Sequence, residues 1–256
     1  MQFNYKDVGH LFAAFLVFIS FLVFIGLPVI SLFSPVSDLN AIDQIGDFGE
    51  GFTFLFEIIL LVIQIVMVVF LFVLVPFLWY RLVNKYSLKE IFRSIQLKKE
   101  QLDMSFLWGV ITAIIAFGFV LIIGVILSVS GVADENASNI KDLELLFSLP
   151  TILILITFQP IAEEIFFRGF LLDKLQKPLG KNPAIIVTSL LFGVAHISMG
   201  NVIPAIIISV VALVLGYMVV KTKSLMTGII AHVIFNIISF LLYLIGKQIL
   251  SQGLIL

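Results

Sequence analysis

The chain has 256 residues, of which 61% are hydrophobic and 12% charged, with a mean hydropathy of +1.20 and a formal net charge of −1. A soluble domain carries roughly 45–50% apolar and 25% charged residues, so this composition excludes an ordinary soluble domain and predicts a membrane protein. The absence of cysteine excludes a disulfide framework and a thiolate metal site. The chain also lacks the basic tract that nucleic-acid-binding proteins carry, so we expect no nucleic-acid partner.

Apolar runs long enough to cross a bilayer recur along the whole chain. A span needs about 20 apolar residues to cross a hydrocarbon core of roughly 30 Å. The pattern predicts an all-α fold, a polytopic membrane helix bundle of about seven transmembrane helices, with six and eight as the alternatives. The spans are placed at about residues 10–33, 53–80, 104–130, 149–171, 183–199, 202–220 and 224–245. Residues 1–103 are expected to form the N-terminal spans and a basic cytoplasmic segment, and residues 104–256 a membrane-embedded core.

Basic residues concentrate on one side of this predicted bundle. Of the 15 Lys and Arg residues, all but Lys141 and Lys247 fall there: Lys6, Arg81, Lys85, Lys89, Arg93, Lys98, Lys99, Arg168, Lys174, Lys177, Lys181, Lys221 and Lys223. By the positive-inside rule this side, which includes the N-terminus, faces the cytoplasm. The opposite loops are acidic, with Asp38, Asp43, Asp47 and Glu50 in one and Asp134, Glu135, Asp142 and Glu144 in the other. We expect an integral multi-pass protein of a bacterial cell membrane.

A short helix is predicted between the second and third spans. Ser87 followed by Glu90 has the spacing of a capping box, which marks a helix start. Leu88, Ile91, Phe92 and Ile95 then recur at helical spacing, whereas the basic residues lie off this stripe. The pattern is typical of an amphipathic helix lying on the cytoplasmic membrane surface, and a plain cytoplasmic connector is the alternative.

Two adjacent carboxylates, Glu163 and Glu164, lie within the fourth predicted span. An ionised side chain at membrane depth costs about 3 kcal/mol on insertion scales, so the pair indicates a functional site with partners. Arg168 lies four residues after Glu164, the favourable order for an ion pair on one helix. Glu163 points about 100° away from Glu164 and has no evident partner on its own helix. We therefore predict that Glu164 is supported locally and that Glu163 is the working carboxylate, with the exchange of these two roles as the alternative.

The chain has three histidines, and two of them lie within predicted spans. His10 is expected at the cytoplasmic start of the first span, where a histidine is ordinary. His196 lies in the fifth span, after Phe192, and His232 lies in the seventh. Asn236 follows His232 by four residues, so both side chains project from one helical face.

Depth in the membrane tests whether these groups can meet. At 1.5 Å per residue, Glu163 lies roughly 12 Å from the cytoplasmic end of its span, and His232 lies at a similar depth. His196 lies about 20 Å from the start of its span on the same measure, so it meets them only if that helix tilts or starts deeper.

Three motifs in this order resemble those of the CPBP intramembrane protease family, which includes the CAAX prenyl endopeptidases and the bacterial Abi proteins. They are Glu163-Glu164-Ile165-Phe166-Phe167-Arg168, Phe192 with His196, and His232 with Asn236. Each motif alone is weak, but three in order, each inside a predicted span, are specific. They occupy about residues 150–240, while the N-terminal spans add only general hydropathy.

The resemblance implies hydrolysis of a peptide bond in a membrane-associated peptide or protein. By the resemblance, Glu163 activates a water molecule together with His196, and His232 and Asn236 stabilise the oxyanion. Acyl transfer does need a base near the water and donors at the developing charge. Glu164 is the electrostatic neighbour within the catalytic group, and Arg168 and Phe192 support it.

The metal requirement stays open in the sequence. Glu163, His196 and His232 match the ligand types of a catalytic zinc site with an open fourth position. The resemblance implies a metal-free glutamate mechanism as the equal alternative. The candidate ligands come from three predicted helices, and no His-Glu-x-x-His helix is present.

Two non-proteolytic functions are the alternatives to an endopeptidase. One is a membrane scaffold or bacteriocin-immunity protein that acts by binding a partner. The other is an ion-coupled transporter that uses the Glu and His groups as a relay. The absence of a convincing internal repeat weakens the transporter hypothesis.

Overall fold

The computed structural model describes residues 3–33, 50–97, 102–131, 143–144, 146–197 and 201–251, and this part of the chain contains helices and no β-strand. Six helices are long and apolar enough to cross a membrane: α1 (Val8–Ser31), α2 (Gly51–Leu82), α4 (Leu102–Val129), α5 (Leu149–Leu179), α7 (Ile203–Thr222) and α8 (Leu225–Ile249). Shorter helices are α3 (Leu88–Ser94) and α6 (Lys181–Val194). The predicted polytopic helix bundle is confirmed.

The fifth predicted span corresponds to α6, which is shorter than predicted. Its 14 residues give a length of about 21 Å, less than the roughly 30 Å of the hydrocarbon core. The helix ends at Val194, before His196, and the connection between the fifth and sixth predicted spans lies partly outside the described residues. The described part of the chain thus contains six full-length spans, within the predicted range of six to eight, and one short apolar helix.

Close helix contacts depend on small residues. A side-chain Cβ at Gly109 of α4 would lie 2.6 Å from Cγ2 of Ile230 on α8, so the glycine lets these two helices approach. Gly193 plays the same role between α6 and α7, where a Cβ would overlap Ser209 and the Ala205 carbonyl. These contacts set the positions of the helices that carry the histidine motifs.

Three of the spans contain a π-helical turn. The turns at Leu22–Gly26 and Phe70–Leu74 come just before Pro28 and Pro76. Proline has no N–H to close the α-helical hydrogen bond, which favours a locally wider turn. The third turn, Ile165–Leu171, is not followed by a proline at that distance and begins directly after Glu164. It widens α5 at the acidic motif.

An aromatic core surrounds the same stretch of α5. Phe166 and Phe167 are buried and contact Phe72 of α2 at ring-centroid distances of 5.0 and 5.8 Å. Phe167 also contacts Phe192 of α6 at 4.9 Å. Many other phenylalanines are exposed along the spans, as expected for lipid-facing side chains. The buried subset links the N-terminal spans to the motif-bearing helices.

The predicted capping box opens α3. The Ser87 N–H donates to Glu90 Oε2 at 2.7 Å, and the Glu90 N–H donates back to Ser87 Oγ at 3.4 Å. The apolar stripe divides between two environments: Ile91 and Ile95 are buried in the protein, whereas Leu88 and Phe92 are exposed. Helix α3 is therefore packed against the bundle along one edge and presents only part of its apolar surface outward.

Candidate active site

The second glutamate of the acidic motif is fully buried and has two charged or polar partners. Arg168 Nη1 donates to Glu164 Oε1 at 2.9 Å, as the spacing on one helix predicts. His232 Nδ1 lies 3.1 Å from the same oxygen. A carboxylate paired with arginine can only accept, so His232 carries a proton on Nδ1 and donates it to Glu164. This contact joins α5 to α8.

Packing around this ion pair involves two further helices. Arg168 Nη2 donates to the Ala212 carbonyl of α7 at 3.3 Å, and its guanidinium carbon lies 4.3 Å from the ring centre of Phe192. On the other side, Glu164 Oε2 lies against Gly228 of α8, where a Cβ would come within 2.8 Å of that oxygen. The ion pair is thus enclosed by four helices, which explains how it is held at this depth.

Glu163 is 5% exposed and its two carboxylate oxygens face different partners. Oε1 accepts a hydrogen bond from Gln159 Nε2 at 2.7 Å. Oε2 faces His232 Nε2 at 3.8 Å, just beyond hydrogen-bond range. The expectation that Glu163 has no partner on its own helix is therefore wrong, because Gln159 is placed one turn earlier on the same face.

Gln159 is itself contacted from the second span. Gln64 Nε2 of α2 donates to Gln159 Oε1 at 3.2 Å. The spacing of Gln159 and Glu163 could have revealed the first hydrogen bond, because residues four apart share a helix face. The isolated glutamine in the apolar run of α2 was a visible signal, but its partner on α5 depends on how the spans pack.

His196 borders this cluster through an aromatic ring. It lies just after α6, and its Nδ1 is 2.8 Å from the Phe192 carbonyl, which can only accept, so Nδ1 donates there. The Phe192 ring lies 4.6 Å from the His196 ring and 5.6 Å from the His232 ring, measured between centroids. Because α6 is short and ends before His196, the depth difference expected from a full span does not separate the two histidines.

Asn236 is half-buried one turn beyond His232 on α8. Its side chain makes no hydrogen bond to the described part of the chain. The structure therefore joins Glu163, Glu164, Arg168 and His232 directly, and connects His196 through Phe192. Asn236 is placed on the same helix but not in the hydrogen-bonded cluster.

The candidate metal ligands are Glu163, His196 and His232. Among the residues that the structure describes, no group of three or more His, Cys, Asp or Glu side chains is arranged to hold a metal ion. His232 faces a carboxylate with each ring nitrogen, and Nδ1 of His196 is engaged with a carbonyl. Glu163, His196 and His232 as placed do not fit a zinc site, and the mechanism below uses no metal.

The fold and the site define a multi-pass helical membrane protein with a buried carboxylate–imidazole cluster between its spans. Residues 145–238 match the family model described as type II CAAX prenyl endopeptidase Rce1-like. This match confirms the resemblance to the CPBP intramembrane protease family and covers every motif residue discussed above. Comparisons with curated proteins and with solved structures give no match. At the level of the family, the match supports an intramembrane endopeptidase, and hence a hydrolase.

Proposed function

We propose that this protein is an intramembrane endopeptidase that hydrolyses a peptide bond of a membrane-associated peptide or protein by a glutamate-activated water. The observation that carries the proposal is the buried Glu163 carboxylate, with one oxygen facing His232 Nε2 at 3.8 Å inside the matched segment. A carboxylate held beside an imidazole can serve as the general base that takes a proton from water.

The first step in this mechanism is attack of water on the scissile carbonyl carbon. Glu163, assisted by His196, accepts a proton from the water as its oxygen bonds to that carbon. The carbonyl π electrons move to the oxygen and form a tetrahedral oxyanion, which Asn236 stabilises as a hydrogen-bond donor. His232 adds a second donor when it is an imidazolium, because its Nδ1–H is held by Glu164 and only Nε2 can then face the oxyanion. Collapse of this intermediate breaks the C–N bond, and the proton held by Glu163 passes to the leaving amine.

Glu164 and Arg168 act indirectly in this scheme. The Glu164 carboxylate accepts from His232 Nδ1 at 3.1 Å and fixes the orientation of the ring, so that Nε2 is directed towards Glu163. Arg168 holds Glu164 in turn. Because Glu163 and His232 are each 5% exposed, a substrate must displace neighbouring side chains or a helix to reach them.

The decisive variants replace the proposed catalytic groups. We expect Glu163→Gln, His196→Ala and His232→Ala each to reduce cleavage by at least about 100-fold, because each removes a proton acceptor or donor. Glu57→Gln is the matched control, since Glu57 is another glutamate in a span, and its carboxylate accepts from the N–H and hydroxyl of Ser148 at 2.6–2.8 Å. Size-exclusion profiles and helicity should be unchanged in all variants. Full activity of Glu163→Gln would rule out this mechanism.

The substrate can be found by comparing cells that carry the wild type with cells that carry Glu163→Ala. One precursor should accumulate in the membrane proteome or fail to appear among the secreted peptides. A prenylated C-terminal peptide, a secreted peptide with its leader and a membrane-protein segment are the substrate classes to distinguish. Motif variants that keep the cellular phenotype would favour a scaffold or immunity function. Solute uptake in proteoliposomes, lost in the same variants without detectable proteolysis, would favour a transporter.

A further inference from the structure

A chain of two amides connects the second span to Glu163. Gln64 Nε2 donates to Gln159 Oε1 at 3.2 Å, and Gln159 Nε2 donates to Glu163 Oε1 at 2.7 Å. An ionised carboxylate can only accept hydrogen bonds, so Gln159 must present its NH₂ group to Glu163 and its carbonyl oxygen to Gln64. The direction of every donor in the chain is therefore set by Glu163.

The position of Gln64 within an apolar span indicates that its hydrogen bond to Gln159 has a functional role. It lies in the middle of α2, a span whose neighbouring residues Ile63 and Ile65 are exposed along the apolar surface. A side-chain amide in such a run is unfavourable unless it finds a partner. Hydrogen bonds between spans can serve packing alone, but this one ends on a carboxylate proposed as the catalytic base.

The consequence for Glu163 is a fixed orientation. With Oε1 held by Gln159, Oε2 is left facing His232 Nε2. Rotation of the carboxylate would lose the hydrogen bond at Oε1. We propose that Gln159 and Gln64 are positioning residues for Glu163, and that α2, which lies outside the matched residues 145–238, is part of the functional unit. This inference rests on the proposed function.

Steady-state kinetics of Gln159 and Gln64 variants should show that these residues position Glu163. Misplacement of a reacting group by about 1 Å can cost about 100-fold in rate. We expect Gln159→Leu to lower kcat by about 10- to 100-fold and Gln64→Leu by a smaller factor, with KM little changed. Because Gln64 acts through Gln159, the double variant should be no slower than Gln159→Leu alone. The assay probe is a fluorescence-quenched peptide with a C-terminal prenylcysteine followed by three residues.

Chemical labelling of Glu163 in the absence of substrate tests the same positioning role. Dicyclohexylcarbodiimide is apolar and modifies carboxyl groups in apolar surroundings, and the Gln159 NH₂ group covers Oε1 of Glu163 at 2.7 Å. We expect mass spectrometry to show faster labelling of Glu163 in Gln159→Leu, and a smaller increase in Gln64→Leu. Ile63→Leu and Phe158→Leu, at the exposed neighbouring positions of the same helices, are the matched controls and should label like the wild type.

The outcomes separate this inference from the proposed function. Labelling of Glu163 that is unchanged in both glutamine variants overturns the positioning role, whether or not the peptide probe is cleaved. Equal loss of thermal stability in both variants with additive effects on kcat would assign the glutamines to helix packing instead. Full activity of Glu163→Gln would overturn the proposed function, while the labelling result would still decide whether the amides hold this carboxylate.

Discussion

At the scale of single residues, the site is built from groups that have little freedom to move. Glu164 Oε1 accepts from both Arg168 and His232, while Glu164 Oε2 lies against the backbone of α8 at Gly228. Removing one partner from a buried ion pair leaves an uncompensated charge, which is far more costly than replacing both. Gly228 leaves the space that the buried Glu164 carboxylate occupies, so the site depends on this glycine as well as on the charged partners.

Substituting Gly228 tests this close contact. In Gly228→Ala the new Cβ would lie 2.6 Å from Val219 Cγ2 and 2.8 Å from Glu164 Oε2, so one of them must move. We expect the free energy of unfolding in detergent to fall by about 1–3 kcal/mol. Cleavage should fall by about 10-fold, because a shifted Glu164 no longer orients His232.

Gly246→Ala is the matched control for this prediction. Gly246 is on the same helix, and a Cβ there meets nothing within 4 Å. This variant should keep full activity and gain up to about 1 kcal/mol, since alanine is the better helix former. Equal behaviour of the two alanine variants in thermal unfolding and cleavage would show that Gly228 leaves no special space for Glu164.

The contacts of the site that lie within one helix could be predicted from the sequence. The Glu164–Arg168 pair follows from spacing on one helix, and the shared face of His232 and Asn236 follows in the same way. The contact between Gln64 and Gln159 and the close fit of Gly228 against Glu164 join different helices. Such contacts depend on helix rotation and crossing geometry, which local periodicity does not determine. The resemblance identified the motif residues but not these supports.

At the scale of elements, α3 and α6 differ most from their sequence patterns. The stripe on α3 predicted a single membrane-facing surface, yet Ile95 lies against Gly169 of α5, where a Cβ would be 3.1 Å from Ile95 Cβ. The chain after α3 is also fixed, because the Gln96 carbonyl accepts from the Leu225 N–H at 3.1 Å. Hydrophobic periodicity reveals a face to be buried but not whether lipid or protein covers it. The end of helix α3 thus contacts both α5 and α8 near their basic ends and holds them together.

The capping box of α3 provides a test of this bracing role. Ser87→Ala removes the hydroxyl that accepts from the Glu90 N–H and donates to its carboxylate. We expect the unfolding temperature to fall by about 2–4 °C. Ser130→Ala is the control, because Ser130 is an exposed serine near a helix end that contacts only the Ile126 carbonyl within the described residues. An unchanged unfolding temperature in Ser87→Ala would mean that α3 does not stabilise the bundle.

The same cap should depend on pH. Hydrogen bonds from the backbone N–H and the hydroxyl of Ser87 lower the pKa of the Glu90 carboxyl below its ordinary 4.5. A carboxyl whose pKa is lower in the folded state stabilises the protein above its unfolded pKa, and this contribution is lost as pH falls through the folded value. The difference in unfolding temperature between the wild type and Ser87→Ala should therefore shrink below about pH 4.5. A difference that grows in acid would contradict this assignment.

At the scale of the whole molecule, contacts at the two ends of α8 agree with the orientation proposed from charge. Near its first residues, Ser224 contacts Ser105 at 2.8 Å, beside the basic segments. Near its other end, Lys247 contacts Glu144 at 2.9 Å, in a predicted acidic loop. Basic and acidic segments thus lie at opposite ends of one span, as the positive-inside rule requires if the first end faces the cytoplasm.

Hydropathy alone predicted the long spans but overestimated the length of α6, because a buried apolar helix and a span have similar composition.

Single cysteines can test this orientation directly, because the natural chain has none. Lys89→Cys places a thiol on exposed α3, beside the basic segments, and Phe33→Cys places one at an exposed position just beyond the opposite end of α1. Lys6 and the other residues before α1 should be cytoplasmic, and α1, at 24 residues, spans about 36 Å, enough to bring Phe33 to the other surface. A membrane-impermeant maleimide should therefore label Phe33→Cys in intact cells and Lys89→Cys only after permeabilisation. The reverse pattern would invert the bundle and place the basic surface outside, and labelling of both in intact cells would contradict a single orientation.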